Sequence, residues 1–91
     1  MKVFKHHIKT ILDKLESVYP LMLENEGYSE LTEKIGDELT LDAHLLYLYE
    51  KGLIDTDMKY VPYNPSWQVR ADLTRINSDG LDFIADANAT E

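Results

Sequence analysis

At 91 residues with 44% hydrophobic and 29% charged side chains, the composition fits a single folded domain and excludes a disordered chain. The net charge is −8 and there is no cysteine, which removes disulfides, thiol nucleophiles and thiolate metal sites together. No apolar run approaches a membrane span, and "MKVFKHHIKTILDKLE" is too broken by charge for a signal peptide, so a cytoplasmic protein without a membrane partner is expected.

In chain order, Phe4, Ile8, Ile11, Leu12, Leu15 and Val18 recur at three- and four-residue steps, and predict an amphipathic helix. Lys2, Lys5 and Lys9 lie on its other side, and Pro20 ends it near Tyr19. Leu21 to Leu23 form a short apolar run, and "ENEG" reads as a loop. Ser29 is then the expected N-cap of a short helix holding Leu31 and Ile35, which Gly36 stops. Thr40 is the expected cap of the next helix, whose core stripe is Leu41, Leu45 and Leu48 and which ends at Gly52. Beyond Ile54 the period changes to two. Trp67, Val69, Ala71 and Leu73 alternate with polar residues as one strand, "MKYVPY" is its partner, and residues 64–66 turn between them. Asn77 can cap a last helix whose Leu81, Phe83 and Ile84 pack inward. Residues 1–87 thus form one α+β domain, and residues 88–91 read as a frayed tail.

That order, with "YSELTEKIG", "AHLLYLYEKGLI" and "RINSDGLDFIAD", resembles small uncharacterised winged helix-turn-helix proteins of bacterial phages and prophages. The resemblance covers roughly residues 28–86, where Asn77 stands in place of the usual threonine. It implies a three-helix core, a two- or three-stranded β wing and a C-terminal helix, with the 40–51 helix as the segment that would enter a DNA groove.

Charge argues against that use. Residues 15–58 carry eleven acids against two lysines, whereas residues 1–14 carry four lysines against one aspartate. Duplex binding rests on neutralising phosphates, and base reading uses Arg, Lys, Asn or Gln, none of which lies mid-helix in 40–51. The positions expected to face outward are Asp42, Ala43, Tyr47 and Glu50, with Tyr63 near the wing tip. Tyrosines rimmed by acids suit a protein partner or, more narrowly, an acidic DNA mimic. Trp67 and Tyr49 are expected in the core. Self-association through the first helix is a variant of the same reading. The alternative is a DNA-binding regulator, with Lys59, Arg70 and Arg75 as phosphate contacts beside the lysine row of the first helix.

No enzyme is expected. His6 and His7 are adjacent and point about 100° apart on a helix, so surface positions suit them better than a shared metal. His44 reads as a packed or capping residue. The acidic pairs Glu24/Glu26, Asp37/Glu38 and Asp55/Asp57 fall in expected loops or caps of an acidic chain. There is no phosphate-binding glycine loop and no nucleophile constellation, and so small a domain has little room for a pocket. No metal or cofactor is therefore expected.

Overall fold

A computed structural model describes residues 2–89. Helix α1 (Lys5–Val18) is followed by α2 (Glu24–Ile35), α3 (Glu38–Glu50), β1 (Ile54–Asp55), β2 (Met58–Val61), β3 (Ser66–Val69), a 3-10 turn (Ala71–Leu73), β4 (Arg75–Ile76) and α4 (Ser78–Ala89). The apolar stripe of α1 is the first wall of the core. Ile8, Ile11, Leu12 and Leu15 are buried there against Leu31 and Ile35 of α2 and Leu41, Leu45 and Leu48 of α3. Phe4 departs from the expected stripe and is 52% exposed, because it precedes the first helical turn and its backbone N–H is held by His44 Nε2 at 3.2 Å.

The start of α2 corrects the sequence reading. "ENEG" is its first turn and Ser29 lies exposed in its middle. Tertiary contacts decide this. Leu23 is buried and its N–H donates to the Thr74 carbonyl at 2.7 Å, which anchors the chain just before Glu24. Gly27, expected in a loop, is a buried contact: a Cβ there would lie 2.7 Å from Leu23 Cδ1. Gly36 ends α2 at φ 121°, as expected. The cap of α3 is Asp37 rather than Thr40, whose N–H donates to the Asp37 carboxylate at 2.7 Å. The helix therefore begins one turn earlier than its leucine stripe implies.

At the far end of α3, Gly52 sits at φ 76°. Gly52 N–H donates to the Tyr49 carbonyl and Leu53 N–H to the Leu48 carbonyl, each at 3.0 Å, which is the Schellman pattern. Ile54 pairs with Ile76, and Asp55 with Arg75, in one small antiparallel sheet. A second antiparallel pair joins β2 to β3, with Tyr60 opposite Trp67 and residues 62–65 as the turn. The expected single strand through Leu73 is cut at Val69. Ala71 and Thr74 are buried, and the Thr74 hydroxyl bonds to the Arg70 carbonyl (2.8 Å) and Thr56 Oγ1 (2.7 Å). This folds the chain into the 3-10 turn beside α2 and leaves Leu73 exposed.

Asn77 performs the expected capping. Its Oδ1 accepts from Gly80 N–H and its Nδ2 donates to the Gly52 carbonyl, both at 2.9 Å. One side chain thus ties the start of α4 to the end of α3. Asn77→Ala should cost about 1–2 kcal/mol, read as a lower melting temperature with unchanged secondary structure. Ile84 packs inward and Leu81 is half-buried, but Phe83 is 46% exposed, contrary to expectation. Helix α4 includes residues 88 and 89 of the expected tail, and residues 90 and 91 lie outside those described.

Candidate functional site

Helix α3 carries more apolar surface than the core uses. Leu41, Leu45 and Leu48 are wholly buried on its inner side. On its outer side Leu39, Ala43, Leu46 and Glu50 follow at steps of four, three and four residues, which aligns them in one row. Leu39 is 68% exposed, Ala43 and Leu46 are half-covered and Glu50 is exposed. The sequence reading missed Leu39 and took Leu46 as a flank of the core. The signal was present as a second set of apolar positions at helical spacing, overshadowed by the stronger leucine stripe.

Two of the residues expected on that face are elsewhere. Asp42 is buried at 7% exposure, and its carboxylate accepts a 2.5 Å hydrogen bond from the Tyr28 hydroxyl of α2. Its position in the turn of α3 nearest α2 directs it inward, where Tyr28 can satisfy it. Burial pushes the Asp42 carboxyl up to about 6; Glu38 adds to the rise, and the Tyr28 bond partly opposes it. Burial, and then the Asp42 bond and the nearby negative charges, push the Tyr28 hydroxyl well above its ordinary range. Tyr47 is half-buried and packs against the core, with Lys51 Nζ 5.5 Å from its ring centroid. Tyr49 is 49% exposed, contrary to its expected core position.

The wing carries aromatic surface. Trp67 is half-buried, with its ring centroid 5.5 Å from that of Tyr60 across the strand pair, edge to face. Tyr60 is 49% exposed, and Tyr63 in the turn is fully exposed, as expected near a wing tip. Lys59 is exposed on β2. The two arginines are committed within the molecule. Arg70 grips Asp72 through two hydrogen bonds of 3.0 and 2.9 Å, and Arg75 meets Asp55 at 2.6 Å. The Asp72 carboxyl is accordingly held below its ordinary range, mainly by the Arg70 bond.

The histidines are arranged for packing. His44 is wholly buried, with Nδ1 2.8 Å from the Thr40 carbonyl and Nε2 accepting from Phe4 N–H. The first contact needs a proton on Nδ1 and the second a bare Nε2, so the neutral ring is the form that satisfies both. His7 corrects the expectation of a surface pair: it is half-buried, its Nδ1 has no hydrogen-bond partner, and its ring stands edge-on to His44 at 5.1 Å. Among the described residues no three His, Cys, Asp or Glu side chains converge as a metal site. The expected lack of a pocket needs correction in part, since an open groove of about 640 Å³ lies between α1, α3 and α4.

Among the described residues, four helices and two small antiparallel sheets define an α+β fold, compatible with a winged helix. Among the described residues, no helix is long and apolar enough to cross a membrane. No protein-family model, no curated protein and no solved structure matches the chain.

Proposed function

We propose that this chain is a non-enzymatic winged-helix interaction domain that binds a protein through the outer row of α3 and the aromatic wing. The observation that supports this reading is the apolar character of α3 on both sides. Leu39, Ala43 and Leu46 stand outside a core that Leu41, Leu45 and Leu48 already fill. Covering a leucine as open as Leu39 contributes about 2 kcal/mol, more than an exposed ion pair supplies. Ala43, Glu50 and Tyr63 remain in the proposed surface. Asp42 and Tyr47 leave it, and Leu39 and Leu46 take their place.

The same row disfavours base reading, because leucine, alanine and glutamate offer no donor pair to a purine edge. Arg70 and Arg75, the strongest candidates for phosphate contacts, already have carboxylate partners. Capture of a protein from a lysate of the native cells is expected for the wild-type chain. It should be lost with Leu39→Asp combined with Glu50→Lys, two exposed changes that leave the melting temperature in place. Retained capture by the folded double variant, or a salt-sensitive shift of duplex DNA weakened by Lys59→Ala, would overturn the assignment.

A further inference from the structure

The groove between α1, the end of α3 and α4 combines an apolar lining with a cluster of lysines. Its lining is apolar, with Ile8, Leu12, Leu48 and Ile84 contributed by the core and the half-exposed Val3 and Phe83 beside them. Lys5, Lys9 and Lys51 also line it, against Asp13 as the single acid among the described residues. Asp13 is engaged by Lys9 at 3.1 Å in an exposed pair one helical turn apart. Three of the nine basic residues of a chain at −8 therefore gather around one apolar groove. Lys51 is held there by its contact with the Tyr47 ring.

We propose that this groove is a second docking site, which takes an amphipathic helix whose apolar row fills it and whose acidic edge meets Lys5 and Lys51. The site lies around α3 from the outer row and does not depend on it. Shape favours a helix, because residues 5–13 of α1 offer about 12 Å of wall, roughly two helical turns, and helix-in-groove docking uses apolar anchors at helical spacing. A small anionic amphiphile needs nearly complete enclosure, whereas Val3 at 41% and Phe83 at 46% exposure leave this groove open. Two copies joined groove to groove would set the same lysines against each other, which disfavours a symmetric pair.

The test uses the full chain and a fluorescent peptide of about 16 residues, with leucines at helical spacing and glutamates along one edge. A second peptide carries lysines in place of the glutamates. Anisotropy should show the acidic peptide binding at least about tenfold more tightly than the basic one, and losing affinity as salt rises. Lys5→Glu combined with Lys51→Glu should reverse that preference. Phe83→Glu should weaken both peptides, and Leu39→Asp should leave both unchanged. All four positions are exposed, so an unchanged melting temperature is expected for each variant. Equal binding of the two peptides, no binding up to about 1 mM, or loss of binding with Leu39→Asp would overturn the proposal. So would a dimer in sedimentation that Phe83→Glu dissolves, since a second copy would then be the occupant. Displacement of the peptide by decanoate at submillimolar concentration would likewise reassign the groove to a small amphiphile.

Discussion

Gly80→Ala should destabilise the domain by about 3 kcal/mol, a large share of the roughly 5–15 kcal/mol that folds a domain of this kind. Helix propensity alone gives the opposite sign, because alanine in a helix is favoured over glycine by about 1 kcal/mol. The surroundings decide the outcome. A Cβ at Gly80 would lie 2.2 Å from the Leu53 carbonyl oxygen and 2.5 Å from Ile76 Cγ1. The carbonyl cannot move freely, since it follows the Schellman turn at the end of α3 and accepts Asn77 N–H at 3.2 Å. The first turn of α4 would have to lift away, opening the seam with β1 and β4. Urea unfolding of Gly80→Ala beside Gly27→Ala separates the two effects. At Gly27 the crowding atom is the end of the Leu23 side chain, so that variant should lose far less. A Gly80→Ala protein as stable as wild type would show that α4 does not sit so close.

Asp42→Asn is expected to stabilise the domain at pH 7.5 by about 2 kcal/mol and to have no such effect at pH 4. The folded carboxyl titrates near 6, above its ordinary 3.8, so the folded state holds this proton more tightly than the unfolded chain. The stabilisation from protonation is therefore fully present below about 3.8 and is lost as pH rises through about 6. Above that, the fold retains a buried carboxylate with one hydrogen bond, from Tyr28. Asparagine keeps an oxygen to accept that bond and removes the charge. The difference between variant and wild type at each pH isolates this group from the other carboxylates, which both proteins share. A difference that stays constant between pH 4 and 7.5, or a variant less stable throughout, would show that Asp42 is not the buried acid described.

Features set by local chemistry were legible in the amino acids alone. The α1 stripe, the stops at Gly36 and Gly52, the Asn77 cap, the Leu41/Leu45/Leu48 wall and the β2–β3 hairpin, whose turn starts at Pro62 rather than at the expected Asn64, each depend on neighbours a few positions away. The same holds for the excess of acid over base through residues 15–58, which no folding rearranges. Features set by distant chain were not legible. Helix α2 starts at Glu24 because Leu23 is tied to Thr74, far along the sequence. The second half of the expected strand becomes a turn because the Thr74 hydroxyl bonds to the Thr56 side chain and the Arg70 carbonyl. Asp42 turns inward because Tyr28 of a different helix is there to hold it, and Leu39 and Leu46 stand outside because the core is already full. Periodicity tells how many apolar positions a helix has, but which of them meet the interior is decided by the elements packed against it. For α3 that decision moved the candidate surface from an acidic, tyrosine-bearing face to an apolar row ending in Glu50.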